Sequence, residues 1–145
     1  MAMKIKVEEI YKPDTSSSLG RPLFISTVPA GFPSPASDYE ESKLDLNKHL
    51  IKNPPATFFV RVSGSSMKDS GIHSGDLLIV DRSLEPKSGN VVVASLDSEL
   101  TVKRIRIRKN EVILEPDNED YKPQAISEER DFEVWGVVTS VIHKL

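Results

Sequence analysis

Apolar and polar positions alternate in short runs through the second half of this chain. Thr57-Phe58-Phe59-Val60-Arg61-Val62 is rich in β-formers, and Asp76-Leu77-Leu78-Ile79-Val80-Asp81 reads as a short buried run. Val91-Val92-Val93-Ala94-Ser95-Leu96 follows the turn residues Ser88-Gly89-Asn90. Residues 99–108 alternate in type, 111–114 are a brief run, and 132–143 are long and β-branched. Turn signals separate these runs at the spacing of a small all-β barrel or sandwich. The pattern predicts a mostly β fold without internal repeats.

Upstream the pattern changes. Ser37-Asp38-Tyr39-Glu40 has capping-box spacing, and Leu44, Leu46, Leu50 and Ile51 follow it. This predicts one short helix ending before Asn53-Pro54-Pro55. Residues 1–35 carry Pro13, the run Ser16-Ser17-Ser18, Gly20, Pro22, Pro29, Pro33 and Pro35. Proline fixes φ near −65° and biases the preceding residue toward extended geometry, so this segment reads as an extended arm. Its composition fits an ordinary disordered terminus equally well.

The 145 residues argue for one domain, which buries about two thirds of its unfolded surface without a staple. There are no cysteines, which excludes thiol catalysis and thiolate metal sites and fits a reducing compartment. A net charge of −3 argues against a protein whose main task is gripping a phosphate backbone. No apolar run approaches the ~20 residues of a membrane helix, and the N-terminus lacks the apolar core of a secretion signal. A soluble, cytoplasmic protein is expected.

Two features carry candidate chemistry. Gly64 breaks the run that starts at Thr57, and Ser65-Ser66-Met67 begins a turn. A corner of this kind exposes a hydroxyl and turns successive backbone N–H groups outward, as an oxyanion hole requires. In a strand over 99–108, the period of two puts Thr101, Lys103, Ile105 and Ile107 on one face and Leu100, Val102, Arg104, Arg106 and Arg108 on the other. Lys103 then lies with two isoleucines, while Arg104 is expected among solvated charges.

A serine and a lysine suffice for acyl transfer if the lysine is neutral. Serine attacks only when a base removes its proton, and lysine in water titrates near 10.4. Bringing it to about 7–8 by burial costs about 3.4 kcal/mol, a tolerable share of a domain's stability. Ala30-Gly31, a small-residue pair on the proline-flanked arm, is a candidate for the bond cut. Taken singly, a serine-rich turn also reads as a plain turn and a strand lysine as a rim charge. His49, His73 and His143 show no Asp partner or metal-ligand spacing, and His73 reads as a solvated loop residue.

Ser63-Gly64-Ser65-Ser66-Met67-Lys68-Asp69 with Gly71-Ile72-His73-Ser74-Gly75-Asp76-Leu77-Leu78-Ile79-Val80-Asp81 resembles the self-cleaving domain of the LexA/UmuD family. Leu100-Thr101-Val102-Lys103-Arg104 matches that family's lysine strand. Residues 30–39, Ala30-Gly31-Phe32-Pro33-Ser34-Pro35-Ala36-Ser37-Asp38-Tyr39, resemble the cleavage region of its SOS-mutagenesis branch. The resemblance runs from about Pro22 to the C-terminus, with three motifs in order.

It implies a LexA/UmuD/signal-peptidase-like β domain with Ser66 as nucleophile, Lys103 as general base and Ala30–Gly31 as the scissile bond. The backbone N–H groups of Ser65 and Ser66 are implied as oxyanion donors. Residues 1–30 would be an arm removed by self-cleavage, and 31–145 the peptidase and dimerisation domain. The family's implied partners are a RecA filament on single-stranded DNA and a UmuC-type Y-family polymerase, which the shortened homodimer would assist in translesion synthesis. No cofactor, metal, membrane or sequence-specific DNA contact is implied.

Two positions depart from the branch. Ala30 stands where Cys is common, and Ser65 where Asp is common. Thirty residues are too few for the helix-turn-helix head and linker of LexA itself, and the membrane anchor of type I signal peptidases is not seen. A dimeric interaction module with a vestigial dyad, and a processing peptidase acting on other proteins, remain open as alternatives.

Overall fold

The computed structural model describes residues 6–14, 20–24 and 40–145, with the backbone alone described for 20–24 and 40–44. The described residues hold ten strands: β1 (Lys6–Tyr11), β2 (Gly20–Phe24), β3 (Glu40–Asp45), β4 (Thr57–Ser63), β5 (Leu77–Asp81), β6 (Val91–Leu96), β7 (Glu99–Arg108), β8 (Glu111–Glu115), β9 (Gln124–Ile126) and β10 (Phe132–Ile142). A short α-helix, α1, covers Leu46–Leu50. The chain divides into two packed units, Met1–Pro13 with Asn53–Leu145, and Asp14–Lys52.

The larger unit is one curled antiparallel sheet in the order β1-β4-β5-β10-β6-β7-β8-β9. Its mostly β character follows the alternating runs of the sequence. Successive side chains in a strand face opposite sides, and here two separate clusters of side chains are buried. Val60, Val62, Leu78, Val80, Val93 and Val102 form one buried cluster with Met67 and Ile72. Val92, Ala94, Ile105, Leu114 and Val137 form another. The middle of β7 therefore contributes to both, Val102 to the first and Ile105 to the second.

The hairpin joining β6 to β7 sets the register of Lys103. Asp97 and Ser98 both adopt positive φ, 50° and 69°, as a two-residue turn of the tight hairpin type requires. Leu96 then pairs with Glu99, and Val92 with Lys103. A slip of one residue would turn Lys103 to the other face.

Two expectations change. Residues 6–11, read as part of an arm, form an edge strand paired with β4. Val7 packs on the first cluster, and Lys12 Nζ donates to the carbonyls of Pro54 (3.1 Å) and Pro55 (2.6 Å) while lying 4.4 Å above the Phe58 ring. The strand is nearly all exposed, so its sequence carries little alternation to read.

The second change concerns the smaller unit. The expected helix starts later and is only one turn long, because residues 40–45 are strand β3 paired with β2. Asp45 caps the helix, accepting the Asn47 N–H at 3.0 Å. The apolar residues around it do not sustain a helical stripe, and pairing with β2 captures the preceding residues instead. Ser37–Tyr39 of the expected capping box lie outside the described residues.

Candidate active site

Strand β4 ends at Ser63, and the chain leaves it through Gly64, whose φ of +97° suits glycine and strains other residues. The loop that follows is tied shut at its base. Gly75 N–H donates to the Val62 carbonyl at 2.7 Å, Val62 N–H to the Asp76 carbonyl at 3.1 Å, and Gly64 N–H to Ser74 Oγ at 3.2 Å. Inside the loop, Met67 and Ile72 are buried in the first core cluster. Ser66 precedes Met67 and is itself fully buried.

Lys103 reaches Ser66 from β7. Its Nζ donates to Ser66 Oγ at 2.9 Å across 37 positions of sequence. The pair singled out from the sequence is thus in direct contact. Lys103 lines a cleft of about 380 Å³ together with Lys6, Leu100, Leu114, Pro116 and Tyr121. Among the described residues, the Tyr121 hydroxyl is the one buried side-chain polar atom with no hydrogen-bond partner.

A second tier of contacts was not legible in the sequence. Arg104 was expected among solvated charges; instead its Nε and Nη2 converge on Asp117 Oδ2 at 2.9 and 2.7 Å, and its Nη1 donates to the Gly89 carbonyl at 2.6 Å. The reason is that the middle of β7 is covered, with Val102 and Ile105 buried on either side of Arg104 in sequence. Asp117 in turn meets the nucleophile loop. Its carbonyl accepts Asp69 N–H at 2.7 Å, and its N–H points at Met67 Sδ at 3.3 Å. The next residue, Asn118, is 3% exposed and donates from Nδ2 to the Ser65 carbonyl at 2.7 Å. The only sequence signal for these residues is a proline-led polar turn after β8.

The histidines also differ from expectation. His143 Nδ1 lies 2.6 Å from Asp76 Oδ1, and the His73 ring is 5.1 Å from the His143 ring. His143 thus has the Asp partner that sequence spacing concealed, because β10 brings the C-terminus alongside β5. Asp76 also accepts the His73 N–H at 2.8 Å, which braces the loop end. Among the described residues no three His, Asp or Glu side chains gather to hold a metal ion. Ala30 and Gly31 lie outside the described residues.

Residues 22–139 match the peptidase S24-like family. The chain belongs to that family. SamA of Salmonella typhimurium is 51% identical over 123 residues, 85% of each chain. ImpA of Escherichia coli is 46% identical over 132 residues, 91% of this chain and 90% of its own. MucA of Escherichia coli is 45% identical over 119 residues, 81% of each. The resemblance to the UmuD branch drawn from the motifs is borne out by these relatives. S24-like membership places the chain in a serine-type peptidase family. Among the described residues no helix is long and apolar enough to cross a membrane.

Proposed function

We propose that this chain cuts its own backbone between Ala30 and Gly31, with Ser66 as nucleophile and Lys103 as general base. The observation that carries the reading is the 2.9 Å hydrogen bond from Lys103 Nζ to the buried Ser66 Oγ. Membership of a serine-type peptidase family supports it.

In this mechanism Lys103 reacts as the neutral amine. It takes the Ser66 proton as Oγ bonds to the Ala30 carbonyl carbon, and the oxyanion that forms is held by the N–H groups of Ser65 and Ser66. The tetrahedral adduct collapses, and Lys103 passes the proton to the departing Gly31 nitrogen. Lys103 then takes a proton from water as the hydroxide attacks the acyl-enzyme, and returns it to Ser66. The products are a carboxylate at Ala30 and a new amino terminus at Gly31. Residues 31–145 remain long enough to stay folded.

The biological role in this reading is SOS mutagenesis. A RecA filament on single-stranded DNA favours the cleavable pose, and the shortened homodimer serves a UmuC-type Y-family polymerase in translesion synthesis in the cytoplasm. Kinship with SamA, ImpA and MucA supports this assignment. The test is incubation at neutral pH with and without RecA-coated single-stranded DNA, followed by sequencing of the new terminus. A filament-dependent fragment beginning Gly31-Phe32-Pro33 is expected. A fragment starting elsewhere, or cleavage indifferent to the filament, contradicts the proposal.

A further inference from the structure

We infer that Asn118 is a positioning residue that aims the backbone N–H of Ser66; the inference rests on the cleavage reading above, in which that N–H holds the oxyanion. The amide of Asn118 is buried, and buried amides are placed where both ends find partners. Its Oδ1 accepts the Asp120 N–H at 3.0 Å, closing an Asx turn. That contact fixes which end of the side chain is which, so the end facing the nucleophile loop is Nδ2. Nδ2 donates to the Ser65 carbonyl at 2.7 Å, and Lys68 N–H donates to the same oxygen at 3.2 Å.

The Ser65 carbonyl and the Ser66 N–H belong to one peptide group. That group is planar and trans, so the two point in opposite directions. Holding the carbonyl from two sides therefore fixes the line along which the Ser66 N–H is directed. Asn118 acts on the reacting centre through this peptide and touches no reacting atom itself.

The clamp is in turn indexed to the strand that carries the base. Arg104 follows Lys103 on β7 and holds Asp117, the residue before Asn118. One strand thus sets the amine against Ser66 Oγ and, through Asp117 and Asn118, sets the peptide preceding Ser66. A transition-state donor must be held to a fraction of an ångström to be effective, which an unsupported surface loop does not provide.

The test compares the full-length chain with Asn118→Ala and Asn118→Asp. The aspartate keeps the acceptor for Asp120 N–H and the side-chain size, so it preserves the turn while removing the donor. Two ligands report on the site: a Thr-Val-Pro-boroAla peptide boronic acid, whose tetrahedral adduct with Ser66 occupies the oxyanion site, and the matching Thr-Val-Pro-Ala amide. Self-cleavage should slow by about 10- to 100-fold in both variants, with the midpoint of the pH–rate profile unmoved in Asn118→Ala, which adds no charge near Lys103. Boronate affinity should fall by a similar factor while amide-peptide affinity holds.

Variants that cut at the wild-type rate overturn the inference alone. So does a shifted pH midpoint in Asn118→Ala, which would mean that Asn118 acts through Lys103, or an equal loss for both ligands, which would mean collapse of the loop. A wild-type chain that never cuts overturns the cleavage reading, and this inference with it.

Discussion

Arg104 holds Asp117 by two hydrogen bonds to a single carboxylate oxygen, and both side chains are about three-quarters or more covered, at 26% and 19% exposure. Cutting this tie leaves Asp117 with part of its charge desolvated and uncompensated. Arg104→Met should lower stability by about 1–2 kcal/mol, a value near the lower end for hydrogen bonds to charged groups because the pair is not fully buried. Thermal unfolding in a Ser66→Ala background, which keeps the chain whole, measures the loss. Arg106→Met serves as control, since its partner Glu115 and its own side chain are more exposed.

Gly136 of β10 packs against Val80 and Arg82. A Cβ there would sit 2.5 Å from Val80 Cγ1 and 3.2 Å from Arg82 Cγ. Val80 is fully buried and cannot swing away. Gly136→Ala should destabilise the domain by about 1–3 kcal/mol, the range for overpacking a tight core, as read by urea unfolding.

Tyr121 offers the opposite sign. Its hydroxyl is buried without a partner, a cost that phenylalanine removes without changing the ring's shape. Tyr121→Phe should raise stability by about 1 kcal/mol in the same urea assay. A loss of stability would show that the hydroxyl is satisfied in solution.

Acid should loosen the fold through Asp81. Burial works against its charge, but hydrogen bonds from the Asn53 side chain and from the Ser83 side chain and N–H outweigh it, so its carboxyl lies below the ordinary 3.8. A carboxyl depressed in the folded state contributes stability that is present above the unfolded pKa and disappears as pH falls through the folded one. The effect therefore belongs to the window below about pH 4. Unfolding midpoints across that window should fall less steeply for Asp81→Asn than for the parent chain.

The strands of the large sheet were legible where alternation or a continuous apolar run was strong, as in residues 57–62 and 91–96. Residues 6–11 were not, because an exposed edge strand leaves no apolar period to detect. Ser66 and Lys103 were legible because the glycine corner and the lone lysine among isoleucines break their local patterns. Arg104, Asp117 and Asn118 were hidden. Their roles depend on the covering of the middle of β7 and on a turn after β8 folding back to the nucleophile loop, and neither is a property of neighbouring residues in sequence. His143 and Asp76 were hidden for the same reason, 67 positions apart and joined only by strand pairing.

The contact between Lys103 and Ser66 is tested most directly by mass spectrometry of the purified chain beside Ser66→Ala and Lys103→Ala after incubation at pH 10. High pH favours the neutral amine, so the parent chain should yield the 1–30 and 31–145 pieces faster than at pH 7, and both variants should stay intact. Cleavage at Ala30–Gly31 in either variant, or a parent chain that remains whole at pH 10 with its fold preserved, would contradict the account.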